Sequence, residues 1–204
     1  MARSDVQLML DVKAGDEASF DFLLQKYRAP LVNFLYRMVR DTATAEDLAQ
    51  EVFLRVYRAR KQYSPSAKFT TWMFRIATNL ALNSLRYNRY RKMETSIDAP
   101  QSNEEDAAPR ELPAREMRID EHLLDRDRCD FIRRAIETLP EKQRVAVLLH
   151  KYEEMDYGEI AKILECSESA LKSLLFRAYE TLRVQLAPLV GQRVQQRAGE
   201  GRLS

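Results

Sequence analysis

Between Arg55 and Lys92 the chain carries ten Lys or Arg residues and no Asp or Glu. The same stretch holds seven aromatics, Tyr57, Tyr63, Phe69, Trp72, Phe74, Tyr87 and Tyr90. Cations neutralise phosphates and release counterions, and flat aromatic faces stack on unpaired bases. Bases interleaved with rings and free of acids are therefore the chemistry of a surface for opened or single-stranded nucleic acid. The competing reading is an amphipathic helix with a solvated basic face and an aromatic core face. Some of the rings must be core, but a total absence of acids is unusual for a face that is merely solvated.

The rest of the chain offsets this charge. Net charge over 204 residues is only +2, and nine acids lie between Met93 and Glu121 among three bases. Such segregation points to a polyanionic partner for the basic part. Cys129 and Cys166 lie far apart with no metal-ligand spacing, and His122 and His150 are the only histidines, so neither a metal nor a cofactor is expected. There is no Gly-rich phosphate loop and no nucleophile elbow, which argues against an enzyme. No apolar run resembles a signal peptide or reaches the ~20 residues that span a bilayer, so a cytoplasmic protein is expected, without membrane insertion.

Five glycines and little β-branched alternation predict an all-α fold. Ser4 and Asp16 are N-caps for the first two helices, with Gly15 between them. Pro30 fits the first turn of a third. Thr44 with Asp47 three residues on predicts a capped start for a long helix towards Tyr63, whose apolar residues Leu48, Val52, Leu54, Val56 and Tyr57 wrap more than one stripe and so predict packing on two sides. After Ser64-Pro65-Ser66, a helix from Thr70 or Thr71 runs into the basic stretch ending at Lys92. Pro100, Pro109 and Pro113 among acids and small polar residues predict a flexible linker. The expected organisation is two small helical domains, 1–92 and 123–190, joined by an acidic linker over 93–122 and followed by a polar tail over 191–204.

In the second domain Pro140 starts one helix. Asp156 then caps a short helix with Glu159 in the capping-box position, and Ser167 caps a longer basic one. A short helix, a tight turn and a longer basic helix make the helix-turn-helix plan, whose second helix enters the major groove. The small Ala161 suits a close helix crossing.

The run Ala45-Glu46-Asp47-Leu48-Ala49-Gln50-Glu51-Val52-Phe53, followed by Phe69-Thr70-Thr71-Trp72-Met73-Phe74-Arg75-Ile76-Ala77-Thr78-Asn79, resembles region two of bacterial extracytoplasmic-function sigma factors of the sigma-E-like kind. Leu139-Pro140, Tyr157 to Leu164 and Leu171 to Leu182 resemble their region four. The resemblance implies a dissociable initiation factor, without catalysis of its own, that binds core RNA polymerase through the β′ clamp helices and the β flap. It implies a polymerase-binding set of Asp47, Gln50, Glu51 and Arg55. It implies that Tyr63, Ser64, Lys68, Phe69, Thr71, Arg75 and Asn79 melt the minus-ten element and hold its single strand with a flipped base. Lys172, Ser173, Phe176 and Arg177 would read the minus-thirty-five element, with His150 or Lys151 reaching a phosphate. Trp72 and Phe74 are read as core. An anti-sigma factor is a further expected partner.

The chain departs from the family where Glu165 or Cys166 replaces a frequent turn Gly, where Ala170-Leu171 replaces Thr-Val, and where Leu174 replaces a base. The other readings are an autonomous helix-turn-helix regulator and a protein-interaction adaptor. The first leaves the acid-free aromatic stretch unexplained, because duplex readers need cations more than stacking rings.

Overall fold

Each of the first helices starts on a side-chain cap. Ser4 Oγ accepts from Gln7 N–H at 3.2 Å to open α1 (Asp5–Ala14). Gly15 ends it with φ 106°, a left-handed conformation natural only to glycine. Asp16 then caps α2 (Glu17–Val39), and Asp41 caps α3 (Thr42–Arg58), accepting from Thr44 N–H at 2.7 Å. A short 3-10 turn (Arg60–Gln62) leads towards α4 (Phe69–Thr95). After these come α5 (Ile119–Glu137), α6 (Glu141–Lys151), α7 (Tyr157–Leu164) and α8 (Glu168–Glu200). This computed structural model describes residues 3–95 and 119–200, and every regular element among them is helical.

Three expectations need correction. Pro30 lies inside α2 and does not begin a separate helix. A proline in mid-helix removes one hydrogen bond, at about 3 kcal/mol. The stripe Leu23, Tyr27, Leu31, Phe34, Leu35 and Met38, all buried across that point, outweighs it at roughly 1.5–3 kcal/mol per large apolar side chain. The cap of α3 is Asp41, three residues ahead of Thr44, because an Asp outside the helix meets the free N–H groups more directly than a Thr within it. Finally α8 stays helical to Glu200, through most of the span expected to fray, since Gly191 weakens a helix by about 1 kcal/mol without breaking it. Most of the predicted linker, 96–118, and the end of the tail, 201–204, lie outside the described residues.

The chain divides into two compact units, Met1–Arg89 with Pro140–Ala178, and Tyr90–Leu139 with Tyr179–Ser204. In the first, α2 packs on α1, α3 and α6, and α6 packs on α7. Tyr27 meets Phe69 at 5.5 Å and Phe34 meets Phe74 edge-on at 5.3 Å, tying α4 to α2. Arg144 of α6 donates to the carbonyl of Met38 at 3.3 Å, one of the carbonyls that the last turn of α2 leaves without a helical partner. In the second unit Ala135, Ile136, Leu139 and Leu182 are buried, and Gln185 Nε2 donates to Thr138 Oγ1 at 2.9 Å.

The helix-turn-helix forms as the sequence predicts. Asp156 and Glu159 close a complete capping box on α7, and Ser167 Oγ accepts from Ala170 N–H at 3.1 Å to start α8. Glu165, in the turn, takes φ 53° and ψ 48°. A non-Gly residue held left-handed costs roughly 1–2 kcal/mol. In urea unfolding followed by circular dichroism, Asp156→Ala should lose about 1 kcal/mol with the cap, while Glu165→Gly should gain about 1 kcal/mol by relieving the turn. A destabilised Glu165→Gly would contradict this account of the turn.

Candidate nucleic-acid interface

The segment from Ala59 to Lys68 turns the chain from α3 into α4, and its fixed points are aromatic. Tyr63 is buried, its ring 5.3 Å from that of Trp72, and its carbonyl accepts from Lys13 Nζ at 2.8 Å. Phe69 is buried between Tyr27 and Trp72. These two rings of the predicted single-strand set therefore anchor the turn from beneath and leave little face for a base. Desolvation, followed by the charge of Asp5, raises the Tyr63 hydroxyl above its ordinary pKa, and this hydroxyl is buried without a hydrogen-bond partner.

The turn encloses a cavity of about 470 Å³. Gln62, Tyr63, Ser64, Ala67, Thr71, Trp72 and Arg75 line it, with Lys162 of α7. Trp72, expected in the core, is only half-buried and forms a wall of this cavity, whereas Phe74 is core as expected. Ser64, Lys68, Arg75 and Asn79 are exposed. Arg75 and Asn79 are one turn apart on α4, so both project on one side. Thr71 is buried, and its hydroxyl donates to Glu159 Oε1 at 3.0 Å. Further along α4, Tyr87 and Tyr90 stand 63% and 68% exposed beside Arg86, a combination suited to stacking and phosphate contact.

A second surface lies between α2 and α3. A cavity of about 630 Å³ runs along it, with a floor of Phe20, Leu24, Val32, Ala49, Phe53 and Leu54 and a rim of Glu17, Asp21, Arg28, Glu46 and Gln50. This is the second apolar stripe that α3 displays in its sequence; in the free chain it faces outward, and Leu54 is 48% exposed. Asp47, Glu51 and Arg55 follow one another at helical spacing along the flank of the groove. Glu51 accepts from Arg55 Nε at 2.7 Å. Of the four predicted polymerase-binding residues, Gln50 alone lines the groove itself. The contribution of α2 does not follow from helical spacing, which groups Phe20 and Leu24 with the buried Leu23 and Tyr27. The only available signal was the excess width of the apolar face on α3.

The third surface is α8. Leu171, Leu175, Ala178 and Leu182 are buried, which turns Lys172, Ser173, Phe176 and Arg177 outward together. Phe176 is 68% exposed, an apolar ring on a face otherwise fit for phosphates and base edges. His150 packs against Tyr157 at 5.3 Å. Burial, and then Lys151, lowers its pKa, so the neutral form is favoured at pH 7 and exposed Lys151 is the cation on that corner.

Two family models match the chain, Sigma-70 region 2 over residues 23–91 and Sigma-70, region 4 over residues 132–182. The RNA polymerase sigma-H factor of Pseudomonas aeruginosa is 33% identical over 189 residues, covering 91% of this chain and 95% of that protein. The ECF RNA polymerase sigma-E factor of Escherichia coli K12 is 30% identical over 189 residues, covering 92% and 96%. Among solved structures, CnrH in complex with the cytosolic domain of CnrY superposes with a TM-score of 0.66 at 18% identity, covering 91% of this chain and 99% of that one. The sigma factor RpoE in complex with the anti-sigma factor NepR from Bartonella quintana gives 0.63 at 21%, covering 82% and 96%.

The burial pattern separates anchors from contacts. Phe69→Ala should cost about 3–5 kcal/mol in urea unfolding as a core truncation. Asn79→Ala should stay within about 0.5 kcal/mol of the parent, as an exposed position does. A Phe69→Ala protein of unchanged stability would return that ring to the contact set.

Proposed function

This chain belongs to the extracytoplasmic-function sigma factors, and on that premise we propose how its three surfaces share the opening of a promoter. It is a transcription initiation factor that directs RNA polymerase to promoters; the phosphoryl transfer belongs to the polymerase.

The α2–α3 groove is the polymerase-binding site. Its open apolar floor receives a helix of the partner, and Gln50 with the Asp47–Glu51–Arg55 flank sets register through polar contacts. The turn before α4 with the exposed face of that helix takes the minus-ten single strand. Lys68 and Arg75 meet phosphates, Asn79 and Ser64 meet base edges, and the cavity beside Trp72 receives a flipped base. Flipping costs a few kcal/mol, which a stacking contact of about 1–3 kcal/mol and edge hydrogen bonds offset. Tyr63 and Phe69 serve that site by holding the turn. Helix α8 reads the minus-thirty-five duplex through Lys172, Ser173, Phe176 and Arg177, where a Phe against a thymine methyl adds sequence preference to phosphate anchoring. The domain boundaries that follow are the functional ones, a polymerase and minus-ten part over 1–92 and a minus-thirty-five part over 123–190. The work takes place in the cytoplasm, beside the chromosome. Two relatives of the same fold were solved with CnrY and NepR bound, and the exposed groove of this chain suits an inhibitor of that kind.

The observation that carries this reading is the coexistence, in one chain matched over nine-tenths of its length, of an acid-free strand-binding face and a helix-turn-helix. Runoff transcription on a library of promoter fragments, with core polymerase and with or without this protein, tests it. Transcripts should appear only when the protein is added, and their upstream sequences should share two elements. Footprints on duplex DNA without polymerase, and no transcripts, would make it an autonomous regulator. Glu51→Lys should lower the affinity for core polymerase about tenfold, leaving the binding of free duplex by α8 unchanged. Arg177→Ala should weaken minus-thirty-five binding and make the dependence on salt shallower by about one phosphate. An unchanged salt slope would remove Arg177 from the phosphate contacts.

A further inference from the structure

Acids of the helix-turn-helix pair with the cations of the minus-ten face, whose Lys68 and Arg75 side chains stay 68% and 50% exposed. Glu159 is the centre. Its Oε2 accepts from Asp156 N–H at 3.2 Å in the capping box, and lies 3.2 Å from Lys68 Nζ. Its Oε1 accepts from Thr71 Oγ1 at 3.0 Å. Asp156 Oδ2 is 3.8 Å from the same Lys68 Nζ. At the other end of α7, Glu165 Oε1 pairs with Arg75 Nη2 at 2.5 Å. Between them Lys162 closes one side of the 470 Å³ cavity beside Trp72.

Lys68, Thr71 and Arg75 are thus engaged by carboxylates from both ends of a single eight-residue helix. A carboxylate and a phosphate ask the same of these donors: each is an anionic oxygen acceptor at hydrogen-bond distance. The glutamates are placed with care. The side chain of Glu159 is only 12% exposed, so its charge is engaged and not solvated. Glu165 reaches Arg75 from a left-handed backbone, the conformation a glycine would adopt with less strain, and a glycine has no carboxylate to offer.

We propose that α7 is an internal competitor for the minus-ten strand, its Glu159 and Glu165 standing in for DNA phosphates on Lys68, Thr71 and Arg75 until the helix-turn-helix is drawn away. The inference rests on the minus-ten reading of those three residues. Binding of the strand then requires release of α7, and its apparent affinity is the intrinsic one multiplied by the fraction of molecules in which α7 is released. A ligand that engages α8 elsewhere frees the strand site by the same linkage, and occupancy of the strand site favours the released helix-turn-helix.

The test uses the full chain and a fluorescein-labelled single strand of twelve thymidines, read by anisotropy at low salt. Glu159→Gln with Glu165→Gln removes both charges and keeps the capping box, since Gln closes it as Glu does. That double variant should bind the oligonucleotide roughly fivefold or more tightly than the parent. Asp130→Asn with Glu180→Gln makes the same change of net charge on acids that pair within their own helices, and should leave the affinity near the parental value. Adding Arg75→Ala to the first double variant should reverse the gain. Equal affinity in the Glu159/Glu165 variant and the parent, with Arg75→Ala still weakening the former, overturns the competition and leaves the strand site standing. An equal gain in the Asp130/Glu180 variant assigns the effect to net charge and also overturns it. No effect of Arg75→Ala in the released background removes the strand site itself, and the proposal with it.

Discussion

Two ring contacts carry the arrangement of the larger unit. Tyr27 on Phe69 and Phe34 on Phe74 fix α4 along α2 at two points, so that the helix can neither roll nor slide without separating an aromatic pair. Each pair adds about 0.5–1.5 kcal/mol to the burial of its rings. Because Phe69 is the first residue of α4, the same contact places the turn that precedes it. The direction in which Lys68, Arg75 and Asn79 project follows from that placement. The core stripe of α2 supports both working surfaces, one through α3 and the other through α4.

Charge is organised on top of this frame by exclusion. Helix α4 carries no acid before Glu94 in its last turn, so the carboxylates that meet Arg75 and Arg89 are brought by other elements. Within the first unit Asp156 and Glu159 meet Lys68, Glu165 meets Arg75 and Glu141 meets Arg89. Exposed pairs of this type are worth little in water, about 0–1 kcal/mol each. Pairs of that strength exchange readily for contacts with another anionic oxygen.

The groove between α2 and α3 follows the complementary logic. Leu54 remains 48% exposed at its wall. Large apolar side chains clustered around a concave floor with a polar rim are the form of an interface awaiting its partner. The groove and the cavity beside Trp72 share no lining residue.

Much of this was legible in the residues. The acid-free aromatic run, the capping box at Asp156 and Glu159, the cap at Ser167 and the outward set Lys172, Ser173, Phe176 and Arg177 all follow from local chemistry and helical spacing, and all are found where those rules put them. Other features depend on what lies opposite. Whether Pro30 breaks a helix depends on the apolar stripe buried across it, and whether Tyr63 and Phe69 face DNA or the core depends on Lys13, Tyr27 and Trp72, which are remote or only partly near in sequence. Periodicity cannot distinguish the buried stripe of α3 from the stripe that floors an open groove, since both are apolar at the same interval. Nor can it pair Thr71 with Glu159 or Arg75 with Glu165 across about ninety positions of chain. The sequence alone determined the chemistry of each surface and the starts of most helices, because caps, charges and spacing act within a few residues. The tertiary structure alone decided which rings are anchors, which groove is open and which cations are engaged, because burial and ion pairing depend on residues that only the fold brings together.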